Sequence, residues 1–320
     1  MKAQESFSIN FALDFLSATE QAAIAASRWI GKGNGKAADK AAVDAMRNAF
    51  NKIDFSGEIV IGEGAKDEAP ELFVGEKLGT GRGVLVDIAV DPLECTDSVA
   101  YGRPNALAVI AMGPRSSLYK AFDGYMEKIA VGPEARGVVD FDMPVKTAIK
   151  KVAHALGKEV GEVTVAVLDR PRHEDLIRQI RQTGARVRLF SDGDVAMAIA
   201  TCLPESPIDM LFGTGGSTEA VLAAAALRCL GGEIMCRWKP SDERQRVALQ
   251  KLGARDAKKI FFTSDLANSD YITFTATGVI DGPLADGVVC EGQSIITHSV
   301  VMSLQPRMLR FIKTKHILEM

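Results

Sequence analysis

Several signals that would fix a function class are missing from this chain. No apolar run is long enough to span a bilayer, which takes about 20 residues in a helix. The opening Met1-Lys2-Ala3-Gln4-Glu5-Ser6-Phe7 has no apolar signal core. Five cysteines, Cys95, Cys202, Cys229, Cys236 and Cys290, are scattered and odd in number, and no Cys-x-x-Cys pair occurs. Neither a disulfide framework nor a zinc knuckle is indicated, so a reduced, cytoplasmic protein is expected. The four histidines are dispersed too, which removes support for a zinc hydrolase. A net charge of −3 gives no electrostatic case for nucleic acid or an anionic membrane. An anionic small substrate stays compatible, because a bound divalent cation inverts the local field. No internal repeat or low-complexity segment is present.

What remains is an ordinary globular composition over 320 residues. That length allows roughly two domains or one large α/β unit, with ample core. One stretch stands out, Val86-Asp87-Ile88-Ala89-Val90-Asp91-Pro92-Leu93-Glu94-Cys95-Thr96-Asp97-Ser98. Val86 to Val90 predicts a largely buried strand that stops at Asp91, because Pro92 has no N–H to continue a ladder. Asp91 and Glu94 then share a tight turn, with the Thr96 hydroxyl close behind. Two acids and a hydroxyl at a strand end suit a hard cation acting on a phosphate. The same residues also describe a polar strand-to-helix turn with a capping threonine.

Taken in order, residues 13–30 predict a helix with Leu16, Ala23, Ser27 and Ile30 near one face. Gly31-Lys32-Gly33-Asn34-Gly35-Lys36 interrupts it, either as a connection or as a phosphate cradle. A second helix spans about 37–53, with Asp39 in its first turn, where a carboxylate complements the helix dipole. Residues 58–61 form a strand running into Gly62-Glu63-Gly64, and the flanking glycines free the backbone to aim Glu63. Asp67 and Glu68 follow before Pro70. Residues 106–112 are another apolar strand, and 125–128 carry no clear pattern. Gly157 to Glu162 reads as a connector, placing a soft boundary between a half at 1–160 and a half at 161–320.

The second half alternates strands (163–168, 187–190, 208–212) with helices (174–183, 195–202, 218–230). That rhythm predicts an α/β sheet with parallel pairs. Polar groups gather at each strand end: Asp169-Arg170-Pro171-Arg172-His173, Asp192-Gly193-Asp194, and Gly213 to Glu219. Ligands of open α/β sheets sit at the carboxyl ends of strands. Gly213 to Glu219 offers glycine-freed N–H groups at a helix start, or a Gly-rich turn capped by Ser217. Arg170 and Arg172 are placed either to grip a phosphate or to form a solvated charged loop. Beyond Trp238, residues 241–252 predict an amphipathic helix, and 259–263, 272–277 and 295–302 predict strands.

Asp39, Glu63, Asp91, Glu94 and Glu219 each sit at the end or start of an element. Gathered by folding, they would hold Mg²⁺ or Mn²⁺ through oxygen. Thr96 would then orient a water while a carboxylate takes its proton.

At this point Asp91-Pro92-Leu93-Glu94-Cys95-Thr96 is similar to the Asp-Pro-Ile/Leu-Asp/Glu-Gly-Thr signature of the lithium-sensitive, metal-dependent sugar and inositol phosphatases. The wider set is similar to class II (GlpX-type) fructose-1,6-bisphosphatase: Val60 to Gly64 with Asp67 to Pro70, Tyr125 to Lys128, Arg170 to His173, Asp192 to Asp194 and Gly213 to Glu219. The resemblance covers residues from about Thr19 to about His316. It implies a layered α-β-α-β-α sugar-phosphatase fold with two packed α/β halves, the first binding metal and the second completing the site. It implies Mn²⁺ or Mg²⁺ and hydrolysis of the 1-phosphate of fructose 1,6-bisphosphate in gluconeogenesis. By the resemblance, Asp39 and Glu63 match ligands of one metal, and Asp91, Glu94 and Glu219 those of a second. Thr96 matches the water-activating threonine, and Asp67 is the catalytic carboxylate candidate. Glu94, Cys95, Thr96, Tyr125, Arg170, Arg172, Asp192, Asp194 and Gly216 match positions that hold the sugar bisphosphate. A homo-oligomer, dimer or tetramer, is implied. Two departures bear on substrate choice and efficiency. Cys95 stands where the signature has glycine, and Ala65 stands where a further acid is expected. They allow a phosphatase for another sugar bisphosphate, such as sedoheptulose 1,7-bisphosphate, or a weakened, non-catalytic sugar-phosphate binder.

Overall fold

The structure is a computed structural model, and it describes residues 9–62, 72–252 and 257–317. The strands, in chain order, are β1 (Phe55–Ile61), β2 (Lys77–Leu78), β3 (Val84–Glu94), β4 (Ala106–Pro114), β5 (Tyr125–Val131), β6 (Thr164–Leu168), β7 (Arg186–Phe190), β8 (Met210–Gly216), β9 (Glu233–Trp238), β10 (Phe261–Phe262), β11 (Thr273–Ile280), β12 (Val289–Glu291), β13 (Ser294–Ser303) and β14 (Met308–Ile317). Among the described residues they form two mixed sheets, one of eight strands and one of six. Helices pack on each, so the fold is mixed α/β.

The chain divides into two compact units, residues 1–120 with 267–320, and residues 121–266. The halves expected at 1–160 and 161–320 differ from these. Gly157 to Glu162 links the helix Val145–Ala155 to β6 inside the second unit.

In the first unit the sheet order is β12-β13-β11-β4-β3-β1-β2, with β14 on the other edge of β13. β1 and β3 are parallel neighbours, so their carboxyl ends emerge together, and Ile61 lies opposite Ala89. Helices Leu16–Ser27 and Gly35–Phe50 cover one face of this sheet. Ala38, Ala42, Val43, Met46 and Phe50, at helical spacing, meet Val86, Ile88 and Val90 from β3. The second helix starts at Gly35 rather than 37 because the Asn34 side chain accepts from the Ala37 amide at 3.1 Å.

β3 departs from expectation. The strand does not stop at Asp91 but runs through Pro92 to Glu94. Asp91 pairs with Val109 and Glu94 with Leu107, so β3 carries one extra residue there. Proline is tolerated at such a bulge because the bulged residue needs no ladder hydrogen bond. Asp87, the acid that interrupts the apolar run, is fully buried and accepts from the Ser117 amide at 3.0 Å.

In the second unit the order is β10-β9-β5-β8-β6-β7. The predicted parallel pairs are present, β6 with β7 and β6 with β8. β5, β9 and β10 pair antiparallel, so the sheet is mixed. One face, bearing Ile129, Val131, Val165 and Val167, packs on Ile149, Val152, Ile177 and Ile180 of the helices Val145–Ala155 and Glu174–Thr183. The opposite face, bearing Lys128 and Ala130, meets the starts of the helices Val195–Ala200 and Ser217–Leu230.

Candidate active site

In the first unit, candidate residues lie at the carboxyl end of β3, beside that of β1. The bulge turns the chain so that Asp91 Oδ1 accepts from the Leu93 amide at 3.1 Å, an Asx turn. Glu94 ends the strand and is 3% exposed. A short helix, Thr96–Tyr101, follows, with Cys95 as its N-cap at φ 74 and ψ 50. That left-handed conformation suits glycine and strains a residue with a Cβ. Thr96 Oγ1 donates to the Leu93 carbonyl at 3.2 Å.

The glycine-rich loop is pinned to this helix. Gly31 N donates to Val99 O at 2.8 Å and Gly33 N to Ala100 O at 2.9 Å. It therefore serves as a fixed connection. Gly35, the first residue of the helix that carries Asp39, lies so close that an added Cβ would stand 2.9 Å from Thr96 Cγ2. Asp39 thus sits one turn into a helix whose start abuts Thr96. Glu63, Asp67 and Glu68, like Ala65, lie outside the described residues.

The second unit gathers the other predicted residues around the starts of two helices. Tyr125 lies opposite Gly216 across β5 and β8. The Arg172 guanidinium stacks over the Tyr125 ring, 5.1 Å from its centroid. Arg172 Nε and Nη2 both donate to Thr214 O, at 3.2 and 2.8 Å. Arg170 donates to Ser191 O at 2.5 Å and stands 3.7 Å from Asp192 Oδ1. Both arginines are held by backbone carbonyls rather than waving in solvent. His173 braces the same loop. Its Nδ1 lies 2.7 Å from Leu168 O, and its Nε2 is 2.8 Å from the Thr214 amide. A carbonyl only accepts and an amide only donates, so the ring is neutral with the proton on Nδ1. Burial lowers its pKa in keeping with that state.

Gly215 and Gly216 have a steric role as well. A Cβ at Gly215 would collide with Asp194 Oδ2, and one at Gly216 would collide with Glu219 Oε2. They leave room for two carboxylates at the sheet surface. Ser217 caps nothing: its Oγ donates to Phe122 O at 2.6 Å and accepts from the Gly124 amide. Asp194, 8% exposed, accepts from the buried Lys128 ammonium at 2.8 and 2.7 Å. Burial raises the Glu219 pKa and the Lys128 charge opposes that rise.

Among the described residues, no three His, Cys, Asp or Glu side chains form a common metal cluster. The donors that are described carry oxygen only: Asp39, Asp91 and Glu94 in one unit and Glu219 in the other. Oxygen donors of this kind fit a hard divalent cation.

The sequence matches the family described as bacterial fructose-1,6-bisphosphatase, glpX-encoded, over residues 9–316. It is 42% identical to fructose-1,6-bisphosphatase 1 class 2 of Escherichia coli K12, with 96% of this chain and 95% of the relative covered. It is also 42% identical to the class 2 enzyme of Haemophilus influenzae, with 96% of each chain covered. The chain belongs to the GlpX-type fructose-1,6-bisphosphatase family. Within that family frame, two residues escaped sequence reasoning. They are Lys128 and His173. Lys128 pairs with Asp194 and His173 accepts from the Thr214 amide, contacts across β8 that no local pattern encodes.

Proposed function

We propose that the chain is a metal-dependent phosphatase that hydrolyses the 1-phosphate of fructose 1,6-bisphosphate to fructose 6-phosphate and phosphate, as gluconeogenesis requires. The observation that carries this reading is family membership across residues 9–316, with 42% identity to class 2 fructose-1,6-bisphosphatases. Asp39, Glu63, Asp91, Glu94 and Glu219 would hold Mn²⁺ or Mg²⁺. Such a cation supplies Lewis acidity that offsets charge developing on the phosphoryl oxygens. The chain's own residues do the rest. Thr96 Oγ1 orients the attacking water, and Asp67 receives its proton. Tyr125, Arg170, Arg172, Asp192, Asp194 and Gly216 hold the sugar bisphosphate, and the two arginines offer planar donors to a phosphate. The Cys95 and Thr96 amides, at the turn after Glu94, face the transferred phosphate. Among the described residues no helix is long and apolar enough to cross a membrane. We assign a cytoplasmic location and a homo-oligomer, dimer or tetramer.

Purified protein with Mn²⁺ is expected to release one phosphate per fructose 1,6-bisphosphate. Chelation should stop turnover and added Mn²⁺ should restore it. Thr96→Ala should lower kcat by about a hundredfold or more, the usual scale for a group that manages the water's proton. No phosphate release from the wild type with Mn²⁺ would sink the reading.

A second reading rests on the left-handed backbone of Cys95. A Cβ where the family signature has glycine narrows the phosphate turn. The enzyme then prefers another substrate, such as sedoheptulose 1,7-bisphosphate, or works weakly. Comparing kcat/KM for the two bisphosphates separates these readings.

A further inference from the structure

Lys128 sits inside β5 with 1% of its surface exposed. A buried ammonium is costly unless it is paired and hydrogen-bonded. Its Nζ meets both oxygens of Asp194, at 2.8 and 2.7 Å. Burial alone would lower the lysine pKa, but the charges of Asp194 and then Glu219 outweigh burial and leave it raised. Three elements are shaped around the pair. Strand alternation turns Lys128 away from the face of Ile129 and Val131. Asp194 stands at the N-cap of the helix Val195–Ala200. Gly215 provides the space, since a Cβ there would collide with Asp194 Oδ2 and stand 3.1 Å from Lys128 Nζ.

A carboxylate offers about four lone-pair sites. The lysine takes one on each oxygen, so Asp194 keeps acceptors for sugar hydroxyls while its rotation is blocked. We propose that Lys128 is a positioning residue of the sugar-phosphate site, clamping Asp194 through both carboxylate oxygens so that it meets the substrate in one orientation. The proposal rests on the assignment of Asp194 to sugar binding made above. A pair retained for stability alone behaves differently. Exchanging both members for uncharged groups is then close to neutral, and ligand binding does not follow Lys128.

The test uses the full chain with saturating Mn²⁺ for each variant. Lys128→Met, Asp194→Asn and the double variant are compared by KM and kcat on fructose 1,6-bisphosphate. Calorimetric affinity for fructose 6-phosphate and thermal unfolding complete the set. Lys128→Met should raise KM and weaken fructose 6-phosphate by about tenfold to a hundredfold, the scale of one charged hydrogen-bonded contact. Its kcat should stay within about threefold. Asp194→Asn should raise KM and weaken fructose 6-phosphate by at least as much, and the double variant should be no worse than Asp194→Asn alone. Lys128→Gln, which keeps one donor on Asp194, should fall between wild type and Lys128→Met, and it serves where the methionine variant does not fold. A folded Lys128 variant with wild-type KM and wild-type product affinity overturns the proposal alone. So does a double variant whose losses are the product of the two singles. A wild type that neither turns over the bisphosphate nor binds fructose 6-phosphate overturns the phosphatase reading and this proposal with it.

Discussion

A left-handed backbone costs an L-residue about 1–2 kcal/mol, chiefly through its Cβ. Cys95 bears that cost at φ 74 and ψ 50, at the residue joining β3 to the helix that begins with Thr96. Glycine removes the clash but adds about 0.5–1 kcal/mol of unfolded-state freedom. Cys95→Gly is therefore expected to stabilise the chain by about 0.5–1 kcal/mol. The shift would be read as a higher denaturant midpoint at unchanged slope. The same variant should raise kcat/KM severalfold, because backbone amides then approach the phosphate without an intervening side chain. Cys95→Ala keeps the Cβ and removes the sulfur, so it should do neither. If alanine helps as much as glycine, the thiol and not the backbone is what impairs the turn.

Elements are legible where clear stops bound them. Glu174–Thr183, amphipathic and mostly polar, is found residue for residue, closed by Gly184 at φ 93. Pro92 points to the end of β3, whereas the bulge accepts it and the strand runs on to Glu94. β5 was unreadable because Glu127 and Lys128 break its apolar pattern, although its partner strands β8 and β9 enclose it. β14, with Arg310, Lys313 and Lys315 along an edge, gave no sign of a strand at all. Candidate site residues at strand ends stand out in the sequence for a physical reason: acids and glycines there interrupt otherwise apolar text. Lys128 does not, since its partner Asp194 lies 66 residues on. The glycine pair ending β8 also has a steric role that no local pattern marks. It leaves space for carboxylates, which sets a prediction at this scale. Gly216→Ala should crowd the Glu219 carboxylate, destabilise by about 1–3 kcal/mol as overpacking does, and lower kcat/KM at least tenfold. An alanine variant with wild-type rate and stability would show that Glu219 moves aside freely.

At the scale of the whole molecule, the division of the chain was the least legible feature. The loop at 157–162 is the more visible break in the sequence, yet it lies within one sheet's unit. The actual unit is an insertion, residues 121–266, and the chain returns afterwards to the first sheet with β11 to β14. Apolar strands such as β11 and β13 carry no mark of which sheet they will join. The points of departure and return are adjacent. Leu118 bridges Ala267, and the Asn268 amide donates to Ser117 O at 2.7 Å. Asp87 holds the departing turn through the Ser117 amide. The insertion has its own core, from Ile129 and Val165 to Ile149 and Ile177, and its own buried ion pair. Residues 121–266 expressed alone should therefore unfold in a single cooperative transition, seen equally by far-UV and near-UV circular dichroism. Residues 1–118 joined to 267–320 by a short glycine linker should also fold, because the linker spans an existing strand bridge. Neither piece should release phosphate from fructose 1,6-bisphosphate. Asp91, Glu94 and Thr96 belong to one unit, while Arg170, Arg172, Asp194 and Glu219 belong to the other. Turnover by either piece alone would mean that the acids of the other unit are not needed, and the residue roles proposed for them would fall.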